Sequence, residues 1–518
     1  MKKIIKLVTI LMAFVISFST FAGCGAQEAE HPMLPDYASN GKQFTLFTYG
    51  NLNNGIYTVV DKDGETSIVD YGTNQTVEKY KEYLECGFNV LMTGDYDERY
   101  TEWEASEAKH IIDTASKAGI EKFIITSVEM RRMTESYDKL IGEGEEYMYP
   151  SYEALKADIR KLLEFYKEIP GFYGINLRDE PNWRSWTSFA YVYKAIREVE
   201  AELGMDEIYL HMNQLPLDSA VTWSYGPDTG EQQNLKEMFE KYVEGWLKDT
   251  GANRISCDVY AFRKYGVTSG FFNSLQTYRK MCDKYGADLT WVLQSCEYYS
   301  GTNQIHRDID KADMLYELFH CIGWGVDNFS YYTYMPTGSI MATGTMMTEG
   351  NTFLTRKGEK TNIYYWAKEI LAAAQKFAPV VLSYDFVGSK YYRTETFNHD
   401  SSRYFTTESN SSLVTPAEFD NSHEHKLLKG IVQDNDLVFT TELYDNENDL
   451  YMYMVQNIID PQSGENGSTD MNVGVTFDSE YTWVAEYSYG NLTYVKLTDG
   501  VYNRLLGAGE SVFLIPLK

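Results

Sequence analysis

The chain has 518 residues, of which 43% are hydrophobic and 15% aromatic, with 43 Tyr and 9 Trp. That length exceeds one domain and suits two, and the apolar fraction can build a full core. A net charge of −29 with no basic stripe argues against binding nucleic acid by neutralising phosphates.

The N-terminus comes first. Lys2, Lys3 and Lys6 flank an apolar run over residues 4–21, which leads into Phe21-Ala22-Gly23-Cys24. Small residues directly before a cysteine resemble the bacterial lipoprotein signal. The resemblance implies a signal peptide over 1–23, lipid on the sulfur of Cys24, and an extracytoplasmic location anchored to the cell membrane. Residues 24–40 are polar and poor in helix signals, as a tether is. A transmembrane anchor is the competing reading, but the run is short for a span and no basic stop follows. The remaining cysteines, Cys86, Cys257, Cys282, Cys296 and Cys321, are odd in number and show no C-x-x-C spacing. Each sits in an apolar pattern and reads as a buried thiol.

From residue 44, strand and helix patterns alternate eight times. Strands are predicted at 44–49, 88–93, 122–127, 171–177, 207–212, 255–261, 289–293 and 326–332. Helical periodicity covers 77–86, 107–118, 152–168, 186–203, 235–248, 272–285, 312–322 and 363–377. Eight βα units predict a (β/α)8 TIM barrel over 41–378. An open doubly wound sheet is the alternative, yet no glycine-rich nucleotide fingerprint follows the first strand. Long connections at 128–150, 215–233 and 335–361 fall on the C-terminal face. They carry Tyr147, Tyr149, Trp223 and Tyr225, candidates for subsite walls or for packing the loops. After Pro379 the period drops to two. Short strands at 437–443, 451–455, 472–477, 482–489 and 511–517, parted by turn signals, predict an antiparallel β-sandwich over 379–518 that packs on the barrel. The Ser-, Asn- and His-rich segment 401–425 reads as an exposed loop.

In a barrel the strand C-terminal ends carry the site. The stretch GFYGINLRDEPN at 171–182 ends a strand in Arg178, Asp179 and Glu180, and Pro181 lacks the N–H to continue it. The fifth strand ends near His211 and Asn213, the sixth in Asp258 and Tyr260, the seventh in Gln294 and Glu297, the eighth in Tyr332 and Tyr334. Cleaving a glycosidic bond needs one carboxyl that holds a proton and another that is ionised, both facing one anomeric carbon. Glu180 and Glu297 form the pair, since strands four and seven face each other across the mouth. A gap of about 5 Å gives retention and a wider one inversion. Asp258 is the reserve. Asp179, Asn213, Asp258, Tyr260, Gln294 and Tyr332 are candidates to hold the sugar. Bland alternatives stand beside them: Arg178 as a rim ion pair, Gln294 and Asn213 satisfying loop backbone, His211 as a rim histidine, Trp324 as core. No H-E-x-x-H, G-x-S-x-G, P-loop or EF-hand spacing occurs. No metal or organic cofactor is expected, and the expected partner is a carbohydrate.

An acid/base Glu after strand four and a nucleophilic Glu after strand seven is the plan of clan A glycoside hydrolases. NLRDEPN, together with GVDNFSYYTY at the eighth strand, resembles the barrel of family 42-type members. The resemblance implies a TIM barrel, hydrolysis of glycosides and Glu180 as proton donor. Two departures stand out. Asp179 occupies the place where the clan has Asn, and Glu297 lies four residues past Leu293. The Asp179-Glu180 pair is also similar to the DE pair of N-acetylhexosaminidases that use the substrate's own acetamide as nucleophile. A surface glycan-binding lipoprotein without turnover is the non-catalytic alternative. A solute-binding lipoprotein would need two similar lobes, against the single run of eight units.

Overall fold

The computed structural model describes residues 31–518, except for 62, 218–224, 227–234, 301–302, 338–339, 342–346, 394–420, 435–436 and 464–468. The signal segment, Cys24 and Trp223 therefore lie outside the described residues. Among those residues eight parallel strands run in sequence order: β1 (Thr45–Tyr49), β2 (Leu91–Tyr96), β3 (Phe123–Ser127), β4 (Phe172–Asp179), β5 (Tyr209–Gln214), β6 (Arg254–Asp258), β7 (Asp288–Gln294) and β8 (Asn328–Tyr332). β1 pairs with β8. On its other side, Asn89 N–H and Val90 N–H donate to Leu46 O at 3.0 and 3.2 Å. The sheet is thereby a nearly closed barrel.

A helix follows each strand: α1 (Val77–Cys86), α2 (Glu107–Ala118), α3 (Tyr152–Lys167), α4 (Trp186–Leu203), α5 (Leu235–Thr250), α6 (Ser269–Tyr285), α7 (Lys311–Gly323) and α8 (Asn362–Val381). Their starts are chemically marked. Thr76, Ser106 and Ser151 each accept a backbone N–H of the first turn through the side-chain oxygen, satisfying a donor that has no helical partner. The expected thiols are buried. Packing between strands is tight at Gly174, where an added Cβ would overlap the Tyr209 carbonyl. Gly174→Ala is expected to lower stability by about 1–3 kcal/mol through overpacking, read as a lower denaturation midpoint in urea.

Several expectations need correction. Residues 128–150 are not all loop: Ser127 caps a short helix, Val128–Thr134. Pro379 does not end the last helix, which runs on to Val381. The stretch expected to tether the chain is docked well before Asn40. Tyr37 is buried, and its hydroxyl donates to Asp445 Oδ2 at 2.7 Å; Asn40 Nδ2 donates to Pro379 O at 2.8 Å. One aromatic hydroxyl with a carboxylate to meet is enough to fix an otherwise featureless segment. Of the predicted loop 401–425, His425 is buried.

The connections after β6, β7 and β8 build a small antiparallel sheet from Phe262–Arg263, Gly266–Val267, Tyr298–Ser300, Asn303–His306 and Met347–Glu349. Beyond the barrel, nine further strands are described: β9 (Asp385–Arg393), β10 (Leu428–Gln433), β11 (Leu437–Asp445), β12 (Leu450–Asn457), β13 (Met471–Phe477), β14 (Trp483–Ser488), β15 (Asn491–Lys496), β16 (Val501–Leu506) and β17 (Ser511–Leu517). They form two antiparallel sheets, ordered β9-β11-β12-β17-β14-β15 and β10-β13-β16. Val438, Val455 and Val512 of the first share a core with Leu428, Val475 and Tyr502 of the second. The other face of the larger sheet, through Phe439, Met454 and Phe513, joins the main core with Phe319 and Phe377 of α7 and α8. Trp324 is core, stacked on Phe386 and Phe439. Among the described residues no helix is long and apolar enough to cross a membrane.

Candidate active site

β4 runs buried as far as Leu177, and its last residues emerge at the C-terminal mouth, where Asp179 and Glu180 are open to solvent. Glu180 has φ +45°, a left-handed conformation that costs a residue with a side chain about 1–3 kcal/mol. Two bonds hold it there. Glu180 N–H donates to Asn213 O at 2.9 Å, and the Tyr242 hydroxyl donates to Pro181 O at 2.8 Å. The turn at the strand end is thus fixed from β5 and α5, and the pleat of β4 no longer dictates where Glu180 points. Arg178 pairs with Glu135, just past the short helix after β3. That is a rim ion pair.

Three carboxyl groups share this mouth. Asn213 Nδ2 donates to Asp179 Oδ1 at 3.1 Å, and Ser256 Oγ donates to Asn213 Oδ1 at 3.1 Å. The Ser256 bond sets the orientation of the Asn213 amide. Asp258 is buried at the end of β6; it accepts from the Tyr260 hydroxyl at 3.3 Å, and its Oδ1 has no partner among the described residues. Glu180 is raised to about 7, first by lost hydration within the ring of protein and then by the charge of Asp179, with Arg178 opposing. Asp179 is raised by lost hydration, opposed by the Asn213 amide and Arg178. Burial, then the charges of Glu180 and Asp179, lift Asp258 well above the carboxylate range. The three acids therefore titrate together. The Asn213 amide on Asp179 Oδ1 favours the charged form of Asp179, against its lost hydration. Glu180, raised to about 7, holds a proton near neutrality.

A cavity of about 280 Å³ opens beside Asp179, which lines it with Tyr49, Asn51, Met92, Asp95 and Asn176 among others. Its size is at the lower end for a small-ligand site, about 300 Å³. Asn176 is buried with an unpartnered Oδ1. Sequence reasoning missed Tyr49, Asn51, Asp95 and Arg131, which also line it. Asp95 and Arg131 pair at 2.9 Å. Their signal was position alone: Tyr49 and Asp95 lie in the last residues of β1 and β2.

The other expected residues divide. Tyr260 and Tyr332, both half-buried, stand with ring centroids 5.6 Å apart at the ends of β6 and β8. Tyr334 is not at the pocket: it is fully buried against Phe88 and Phe353. Gln294 is not free to hold a sugar. Its Oε1 accepts from Phe262 N–H at 2.9 Å, and its Nε2 donates to Cys296 O and Arg307 O at 3.2 Å. A buried amide at a strand end is drawn to the loop backbone around it. His211 is sealed and meets the Tyr49 hydroxyl at 2.5 Å through Nε2; burial, then Arg254, pushes it down to about 3, so the ring is neutral. Tyr149 and Tyr225 are buried, packing their loops. Glu297 stands just before the Tyr298–Ser300 strand. Its carboxylate accepts from the Tyr299 hydroxyl at 2.8 Å and from Gln304 Nε2 at 3.2 Å. It is not among the main charges acting on Asp258, Tyr49 or Tyr260, whereas Glu180 and Asp179 are. Among the described residues, the trio spaced to hold a metal ion is His423, His425 and Glu442, in the C-terminal region.

No protein family matches the chain, and no curated protein is detectably similar. Solved structures with a similar course include proteins named as glycoside hydrolases. An Anoxybacillus α-amylase is 11% identical, with 92% of this chain and 98% of that one covered and a TM-score of 0.47. A protein described as a glycoside hydrolase is 12% identical, with 91% and 98% covered and a TM-score of 0.44. A β-glucuronidase from an uncultured Clostridium is 14% identical, with 64% and 51% covered and a TM-score of 0.37, so this chain spans about half of its length. Likenesses this distant carry neither a family nor an activity across.

Proposed function

We propose that the protein is a glycoside hydrolase and that Glu180 is its general acid/base. One observation carries the reading: two carboxyl side chains, Asp179 and Glu180, stand side by side at the solvent-open barrel mouth, and Glu180 is raised to about 7 by lost hydration and then by the charge of Asp179. A proton-holding carboxyl next to an ionised one is what glycosidic cleavage demands. The chain is read as a barrel over 41–378 and a β-sandwich over 379–518, carried on a lipid at Cys24 outside the cytoplasm.

The second carboxyl has three candidates. Glu297, at the exit of β7, is the one a retaining two-carboxylate mechanism would use, but Tyr299 and Gln304 already occupy one of its oxygens. Burial, then the charges of Glu180 and Asp179, raise Asp258, which disfavours the charged form a nucleophile needs. Asp179 with its Asn213 bond favours substrate assistance. There Asp179 orients the 2-acetamido group of the sugar, that group attacks the anomeric carbon, and Glu180 protonates the departing oxygen. Asn176, Tyr260 and Tyr332 would position the ring.

The test is a panel of natural oligosaccharides and aryl glycosides, 2-acetamido sugars included, offered to the full chain. Release of reducing sugar from at least one supports hydrolysis. Saturable binding with no release from any would make it a glycan-binding protein. For any substrate turned over, the rate is expected to fall as pH rises through about 7, because the acid must carry its proton. Asp179→Asn removes a negative charge that raises Glu180, so the alkaline limb should move to lower pH. An unmoved limb in the pH–rate profile would place Asp179 outside the field of the catalytic acid.

A further inference from the structure

We propose that His423, His425 and Glu442 form a binding site for a divalent cation of the zinc class, in the C-terminal region and independent of the barrel mouth. Their ligand atoms lie within 4.8 Å of one another. His423 Nε2 is 3.7 Å from Glu442 Oε1, and His425 Nδ1 is 3.6 Å from Glu442 Oε2. Tetrahedral zinc with bonds of about 2.0–2.1 Å sets its ligand atoms roughly 3.3 Å apart, so modest closure suffices.

The hydrogen bonds fix the tautomer of His425. Thr440 Oγ1 donates its one proton to Lys390 O at 2.9 Å. It must therefore accept at 2.7 Å from His425 Nε2–H. In the neutral ring this leaves Nδ1 a bare lone pair. The His425 side chain is fully buried, and Nδ1 has no hydrogen-bond partner. It faces a carboxylate that is itself buried and that already accepts Lys426 N–H at 2.6 Å. Two acceptors confront each other in a dry place, and His423 Nε2 stands beside them with no hydrogen-bond partner. A buried acceptor left unmatched is costly; a cation at their common centre satisfies all three. The Thr440 bond is the outer-shell contact that metal-binding histidines use to fix ring and tautomer.

The backbone supports the same placement. Gly388 sits at an irregularity in the pairing of β9 with β11, and an added Cβ there would overlap the His423 ring. Only glycine lets that ring lie where it does. Three protein ligands leave a fourth position. The exposed part of the His423 side chain, 23% of it, borders a cleft of about 860 Å³ that also touches Lys236, Arg279 and Phe386. Two imidazoles with one carboxylate and an open position suit zinc better than calcium or magnesium, which prefer oxygen. Lys390 is paired with Glu424 at 2.6 Å.

The full chain, stripped with EDTA, is titrated with Zn²⁺ by calorimetry and with Co²⁺ by visible absorption. One tight equivalent per chain is expected, with a four-coordinate Co²⁺ spectrum. His423→Gln and Glu442→Gln should each weaken Zn²⁺ binding more than tenfold. Gly388→Ala should weaken it too, with every ligand still present. No saturable equivalent would overturn the site. Equal affinity in His423→Gln and the parent would overturn it as well. If a variant unfolds, the Co²⁺ spectrum of the parent still decides, since an octahedral all-oxygen spectrum contradicts this ligand set.

Discussion

Arg307→Ala is expected to lower the stability of the folded chain by about 3–5 kcal/mol, the cost of stranding buried charge. Arg307 is 9% exposed at its side chain, between Asp313 at 0% and Asp460 at 4%. Its guanidinium reaches Asp460 through two nitrogens, at 2.8 and 2.6 Å, and Asp313 at 2.6 Å. Gln462 Nε2 donates to the other oxygen of Asp313 at 2.7 Å. The cluster ties α7 and the connection before it to the loop after β12. Truncation leaves two buried acids facing each other without a counter-charge. The measurement is the denaturant midpoint with an unchanged slope. A shift under about 1 kcal/mol would mean that the cluster acts as a hydrogen-bond network and not as a compensated buried charge.

Glu180→Gln is expected to slow hydrolysis of a natural oligosaccharide by about 10²–10⁴-fold, the ordinary contribution of a positioned general acid. The amide is nearly the same size, and Glu180 is open to solvent at the mouth, so the fold and sugar binding should survive. The loss should shrink for an aryl glycoside whose leaving group departs without a proton. That contrast separates loss of the acid from loss of binding: KM changes little, and the damage in kcat depends on the leaving group. A uniform loss across leaving groups would instead point to a positioning role.

Much of the frame was legible in the chain. Apolar runs of five to eight residues between amphipathic segments place all eight barrel strands. The helix starts predicted by periodicity at 77, 107 and 152 hold, and the structure shows Thr76, Ser106 and Ser151 capping them. The hairpin Ile56–Val60/Thr66–Asp70 was not legible, because most of its residues face solvent and no core face imposes a period of two. β15 hid for the same reason.

At the site, Glu180 and Asp179 could be read from where an apolar strand stops. Their surroundings could not. Asn213 reaching back from β5, Tyr242 holding Pro181, and the choice of Gln294 to satisfy loop backbone are all contacts between distant segments. Glu297 shows the limit most clearly: position after strand seven suggested a nucleophile, but the Tyr298–Ser300 strand gives it Tyr299 and Gln304 as partners. The His423–His425–Glu442 trio was invisible because β11 supplies the carboxylate from across the sheet.

The central claim is that one barrel-mouth carboxyl holds a proton near neutrality. Carboxyl-region NMR of the chain labelled with ¹³C-glutamate, with Glu180 assigned through Glu180→Gln, measures it directly. A midpoint near pH 7 is expected. A midpoint at an ordinary glutamate value, about 4.3, would contradict the claim and leave the mouth without its acid.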